Sequence, residues 1–213
     1  MKLEYYGHSF WRIVTDSISI VIDPFDNIGY PIPQHLKADY VFVSHEHHDH
    51  NNVSIIKGNP RIIRDSGLYE LPDMKAEFIS VFHDNENGVR RGKNNIIMLI
   101  LDGLKIIHCG DLGHLPSSNV LTKIDNPDLL LVPVGEVYTI ALKEIWQMIK
   151  SIKPRLIFPM HFKTTALGFQ LGELAAFTQS SVNVFNHGKN TIEITQELLS
   201  SEKTVILNWA NKE

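Results

Sequence analysis

Residues 45–50 read His-Glu-His-His-Asp-His, directly after the apolar run Tyr40-Val41-Phe42-Val43. An unbroken apolar run suits a strand buried on both faces, so the histidine cluster hangs from the end of a rigid element. Imidazole nitrogens and carboxylate oxygens are the donors that zinc and similar divalent ions take. His45 and His47 lie two apart, and an extended backbone points both the same way. Asp49 and His50 then need the chain to turn, which the polar pair Asn51-Asn52 permits.

Three more donors sit in equivalent places. His83 follows the run Glu77 to Phe82, Asp111 closes Lys105-Ile106-Ile107-His108-Cys109-Gly110-Asp111, and His161 closes Leu156-Ile157-Phe158-Pro159-Met160-His161. A solvated histidine-rich loop would explain residues 45–50 alone. It would not explain why the other donors also end predicted strands, where a rigid scaffold can hold a site.

The remaining pattern gives the layers. Leu3 to Tyr6, Phe10 to Val14, Ile18 to Ile22, Arg61 to Arg64, Asn95 to Leu101 and Lys105 to His108 read as strands, with Asp102-Gly103 as a two-residue hairpin turn. Leu129 to Val134 reads as a further buried strand, and Val182 to Phe185 and Thr191 to Ile194 as late ones. Leu142, Ile145, Trp146, Ile149 and Ile152 form one apolar helical stripe that stops before Pro154, and Leu171 to Phe177 suggests a second helix. Strands followed by strand–helix–strand alternation predict a layered α/β or α+β domain. With no internal linker and 213 residues, a single domain over 1–213 is expected.

Charge and cysteine usage narrow the function. A net charge of −4 and a pI near 6.2 lack the basic stripe of a nucleic-acid binder. The longest apolar run, Ile96 to Leu101, falls far short of the ~20 residues that span a bilayer. The first residues lack the apolar segment of a signal peptide. The only cysteine, Cys109, rules out an intramolecular disulfide. A cytoplasmic protein is the expectation; the oligomeric state is not readable.

His45-x-His47-x-Asp49-His50, followed in order by His83, Asp111 and His161, resembles the metallo-β-lactamase superfamily, and the likeness begins as early as Gly7-His8-Ser9 and Ile22-Asp23-Pro24. Within it, the chain is most similar to small stand-alone bacterial hydrolases near the ascorbate-phosphate lactonase group. The resemblance implies an αββα sandwich of two mixed sheets flanked by helices. It also implies two divalent ions, Zn2+ first and Mn2+ or Fe2+ as alternatives. His45, His47 and His83 would hold one ion, Asp49, His50 and His161 the other, and Asp111 would bridge them. Oxygen-reducing diiron relatives carry a carboxylate where this chain has His47, so their chemistry is disfavoured.

The implied reaction is hydrolysis of a small anionic ester, lactone or phosphodiester by a metal-bridging hydroxide, with Asp49 and Asp111 as the catalytic carboxylates. Asp23, ending a strand before Pro24, is a candidate to fix a ligand tautomer from behind, and His108 another supporting residue. The segment Arg90-Arg91-Gly92-Lys93-Asn94 reads as a cationic loop for an anionic substrate; Arg90, Arg91, Lys93 and Asn94 are its candidate contacts. His8 and His114 are candidates for the mouth of the site, and His48 is expected to face outward. Two other readings stay open: a metal-dependent nuclease or phosphodiesterase on nucleic acid, and a non-catalytic metal-stabilised binding module.

Overall fold

The strands alternate their side chains between two environments, and that alternation stacks the chain into layers. The computed structural model describes residues 1–181, 183–201 and 203–210. One sheet is built from β1 (Lys2–Gly7), β2 (Phe10–Val14), β3 (Ser19–Ile22), β4 (Tyr40–Phe42) and β5 (Arg61–Ile63). The second begins with β6 (Gly67–Leu71), β7 (Met74–Phe82), β8 (Lys93–Leu101) and β9 (Leu104–His108). Helix α1 (Ser118–Lys123) leads to β10 (Leu129–Pro133), α2 (Leu142–Ile152) to β11 (Leu156–Met160), and α3 (Leu174–Thr178) to β12 (Val184–Asn186). The chain then returns to the first sheet as β13 (Thr191–Glu193), forms α4 (Gln196–Leu199), and ends in the second sheet as β14 (Lys203–Ile206). The orders are β13-β1-β2-β3-β4-β5 and β12-β14-β11-β10-β9-β8-β7-β6. Both sheets are mixed: β3, β4 and β5 run parallel in one, and β9, β10, β11 and β14 in the other.

Between the sheets lies the main core, where Trp11, Ile13, Ile20, Ile22 and Phe42 meet Phe78, Leu99, Leu131 and Phe158. Residues one step away on the same strands face outward, as a period of two requires. On the second sheet, Ile107, Leu130, Val132 and Ile157 point out and are covered by Ile145, Met148, Ile149 and Ile152 of α2 and by Phe177 of α3. On the first sheet, Phe10, Val21, Val41 and Val43 are covered mainly by loop residues, among them Phe25, Ile28, Tyr30 and Leu36. The αββα architecture is therefore present, with extended loops in place of long helices on one outer side.

The strands read from sequence are all present within a few residues, except that Val182, where one expected strand began, lies outside the described residues. The second expected helix starts at Leu174, later than Leu171. Strands β6 and β14 and helices α1 and α4 were not anticipated. No described helix is long and apolar enough to cross a membrane.

Parallel strands place their carboxyl ends on one edge, where open α/β sheets bind ligands. Here the two sheets are also tied to each other at that edge. Ser44 O accepts Asn95 N–H (3.0 Å) and Asn95 Nδ2 (2.9 Å), and His161 N–H donates to His8 O at 2.8 Å. Cys109, next to Asp111, is fully buried, and burial pushes its thiol up to about 12. A thiolate is needed for reaction with disulfide reagents. The native protein is therefore expected to show no reactive thiol at neutral pH and one per chain in denaturant; rapid native labelling would contradict this packing.

Candidate metal centre

Every donor at this edge leaves a strand through a sharp turn. Asp23 directly follows β3, His83 directly follows β7 and His161 directly follows β11, while His45 and Asp111 come three positions after the ends of β4 and β9. His8 occupies the β1–β2 turn. His8, Asp23 and His161 all have left-handed backbone (φ 53°, 49° and 51°). Such conformations cost on the order of 1 kcal/mol or more in residues with a side chain and cluster at functional sites. Gly110 (φ +53°) lets the chain pass Asn94 and Ser44; a Cβ there would come within 2.3 Å of Asn94 Oδ1.

His45 Nε2 and His47 Nδ1 approach to 3.1 Å, and His83 completes a triad whose ligand atoms lie within 4.8 Å of one another. The tautomer of His45 can be followed from its neighbours. Ser44 Oγ donates to Asp23 Oδ2 at 2.6 Å, so it can only accept from His45 Nδ1–H at 2.9 Å. That leaves the Nε2 lone pair facing the triad.

A second set is formed by His8, Asp49, His50 and His161, again within 4.8 Å of one another. Asp23 Oδ2 accepts from His50 Nδ1 at 2.9 Å and turns His50 Nε2 inward. Asp111 stands between the sets: its Oδ2 lies 3.2 Å from His83 Nε2 and 3.1 Å from His161 Nε2, and its Oδ1 lies 3.3 Å from His50 Nε2. His50 Nε2 and Asp111 Oδ1 are buried and neither makes a hydrogen bond. Two donors that each sit about 2.0–2.2 Å from one ion lie roughly 3.0–3.5 Å apart. The spacing and the two orphaned atoms fit a cation held between these groups.

The charges agree. Burial opposes ionisation of Asp111, but His161 and His50 outweigh it and hold the carboxyl well below the usual range. Asp49 behaves alike: burial raises it, while His50 and the hydrogen bond from His8 bring it far down. Burial would also lower His50, yet Asp111 and Asp49 hold it well above an ordinary histidine. Burial lowers His45 and His47, and burial with His161 brings His8 to about 4. Asp111 and Asp49 thus favour positive charge at the second set, supplied by a proton on His50 or by a bound metal ion.

Two supporting residues lie behind the donors. Asp23 also accepts Ser44 N–H at 2.7 Å, joining the ends of β3 and β4. His108 Nδ1 accepts Gly110 N–H (3.1 Å), so its Nε2–H donates to Ser9 O (3.0 Å) and fixes the turn that carries Asp111.

The candidate substrate residues separate. Arg91 lines a cavity of ≈ 360 Å³ over the donors, together with His48, Tyr138 and Phe169, and its guanidinium lies 5.3 Å from the Tyr138 ring centroid. Lys93 lines an adjoining groove beside His45 and His47. Arg90 instead pairs with Glu86 at 2.6 Å on the exposed side of the loop. Asn94 is fully buried: its Nδ2 donates to Cys109 O and its Oδ1 accepts Asp111 N–H, so it positions Asp111 and does not line the cavity. His114 accepts Phe82 N–H through Nε2 and contacts Leu115 O through Nδ1, which makes it a brace for the β7 end. His8 is completely buried inside the second donor set, deeper than a residue at the mouth.

Sequence reading missed three residues. Asp84 accepts four backbone N–H groups, from Glu86, Gly88, Arg90 and Arg91, and folds the cationic loop around itself. Desolvation would raise its carboxyl, but those donors bring it to about 2. An Asp before Asn-Glu-Asn-Gly signals such a turn, and that signal was available. Tyr138 and Phe169 sit on loops with no pattern linking them to residues 45–50.

Residues 2–161 match the family model for the beta-lactamase superfamily domain. A metal-dependent hydrolase of Desulforamulus reducens is 26% identical, with 78% of this chain and 86% of that protein covered. One from Thermococcus onnurineus is 29% identical, covering 77% and 85%. Among solved structures, a candidate Zn-dependent hydrolase of the metallo-beta-lactamase superfamily from Thermotoga maritima is 33% identical. It superposes with a TM-score of 0.83 over 97% of each chain.

Because Asp111 and Asp49 favour a proton on His50, metal uptake at the second set is expected to compete with that proton. Affinity should rise with pH from the acid side through neutrality, with proton release visible as a buffer-dependent calorimetric enthalpy. Asp23→Asn should weaken that binding by about 10–100-fold. Uptake without proton release at pH 7 would contradict the charge state.

Proposed function

The chain belongs to the metallo-β-lactamase superfamily and is a metal-dependent hydrolase; from that premise we propose that it uses two divalent ions, zinc first among them, to hydrolyse a small anionic ester, lactone or phosphodiester. The observation that carries this reading is the position of Asp111 Oδ2, within 3.2 Å of His83 on one side and 3.1 Å of His161 on the other. One carboxylate oxygen shared between two donor sets is the arrangement that holds two ions close together. When bound, such a pair lowers the pKa of water to near neutrality and polarises the oxygen that becomes negative.

The protein groups supply the rest. His45, His47 and His83 form one set; Asp49, His50 and His161 belong to the other. Asp49, held ionised at the cavity floor, would orient the attacking water. Arg91 makes no ion pair among the described residues and faces the cavity, so its guanidinium fork is open to a carboxylate or phosphate. Phe169 and Tyr138 line the same cavity and offer aromatic surface to the apolar part of a substrate. Lys93 extends the positive side into the adjoining groove.

Elemental analysis of protein purified without added metal should give about two ions per chain, falling in His50→Ala, with turnover of the screened esters, lactones or phosphodiesters abolished in metal-replete Asp49→Ala. Removing a charge-assisted contact costs about 1.5–3 kcal/mol. Arg91→Ala should thus raise KM for an anionic substrate by about 10-fold or more, with little change for a neutral analogue. No bound metal and no uptake on reconstitution would overturn the dinuclear reading. Salt-sensitive binding of nucleic acid with cleavage would move the nuclease reading ahead.

A further inference from the structure

His8 is the buried side chain that the dinuclear assignment leaves unused. It sits in the Gly7-His8-Ser9 turn, 41 residues from Asp49 in sequence, and its side chain has no solvent exposure. Its Nε2 lies 3.1 Å from Asp49 Oδ2, and the two atoms share a common region with the donor atoms of His50 and His161, all within 4.8 Å. The ring stands 4.2 Å from that of His161 and 5.1 Å from that of His50, and the edge of Phe169 closes its outer side.

The backbone is shaped to put it there. Gly7 (φ +109°) and His8 (φ 53°) form consecutive left-handed residues, and a Cβ on Gly7 would fall within 2.5 Å of the Tyr30 ring. His8 O is held twice, by Tyr5 Oη at 3.0 Å and by His161 N–H at 2.8 Å. The second bond couples the backbone of His8 directly to a residue of the donor set. The contact that serves as a hydrogen bond to Asp49 without metal also has ligand-to-ligand distance, and the strained turn that delivers it is anchored to a residue of the donor set.

Resting on the dinuclear reading, we propose that His8 is a direct ligand of the second ion, bound through Nε2. The second position then has five protein donors, His8, Asp49, His50, His161 and the shared Asp111. The first has four, His45, His47, His83 and Asp111. With room for water and substrate still required, the second ion reaches a coordination number above the tetrahedral preference of structural zinc. The two positions differ in donor number, and sequential loading with distinct affinities follows.

The test uses the whole protein with Co2+ as probe. His8→Asn is the variant, because asparagine tolerates left-handed backbone and keeps a polar group in the turn. Thermal unfolding of metal-free wild type and variant establishes that both fold. In the proton NMR spectrum of the fully loaded wild type, six paramagnetically shifted, exchangeable imidazole N–H signals are expected, one for each ligand histidine. His8→Asn should show five, with the second Co2+ bound at least about 10-fold more weakly and the first unchanged. Equal signal counts in both proteins, even with weaker binding, would place His8 outside the coordination shell and overturn the proposal. Wild type that takes up one ion only, or none, would overturn the dinuclear reading itself. A variant unfolded without metal would be replaced by His8→Gln under the same criterion.

Discussion

A buried carboxylate with imidazoles on three sides governs this structure. Asp111 is nearly inaccessible, and an ionised carboxyl in that place is costly unless positive charge is close to it. His83 and His161 supply that neighbourhood from the ends of two strands of the second sheet, and His50 from the loop that follows β4 of the first. Whatever compensates Asp111, a proton on His50 or a metal ion, is also what joins β4, β7, β9 and β11 at one edge. The site and the closing of the sandwich at that edge are therefore the same set of interactions. This explains why the supporting residues are so numerous: Asp23, Ser44, Asn94 and His108 each hold a turn that carries a donor.

The supports also decide which atom each donor presents. Ser44 can donate its one proton only once, and giving it to Asp23 obliges the hydroxyl to accept from His45. His50 is fixed by the same Asp23 oxygen. One carboxylate thus sets the orientation of a histidine in each donor set, though it touches neither cavity nor substrate. Asn94 performs the parallel task for Asp111 from the second sheet, and its buried amide is tied to the backbone on both sides of Gly110.

The fold and the donors were legible for different reasons. Strand positions followed from short apolar runs bounded by turn signals, such as Leu129 to Val134, whose side chains the structure divides alternately between two cores. His45, His47, Asp49 and His50 could be read because they are contiguous, and His83, Asp111 and His161 because each ends an apolar run. Elements without a strong apolar pattern escaped. Strand β6 leaves Gly67, Leu68 and Glu70 exposed, and α1 buries none of its residues, so neither carries a periodic signal. Asn94 looked like a loop residue because the cationic run Arg90-Arg91-Gly92-Lys93 precedes it. The register of β8 on β7, with Asn94 opposite Val81, instead turns its side chain into the interior.

His8 marks the limit of reading along the chain. Its neighbours in sequence, a glycine and a serine, describe a turn, and the sequence placed His8 no deeper than the mouth of the site. Its neighbours in space come from residues 49, 50 and 161, brought together only when β1 lies beside β2 and the two sheets close on each other. The hydrogen bond from His161 N–H to His8 O crosses between the sheets and ties the turn of the first sheet to the strand end of the second. A donor delivered by that turn reports on the docking of the two sheets as well as on the metal. The strain at His8, Asp23 and His161 is tolerable for the same reason: each is held by bonds to the other sheet or to an adjacent strand, and none could relax without separating the charges that Asp111 gathers.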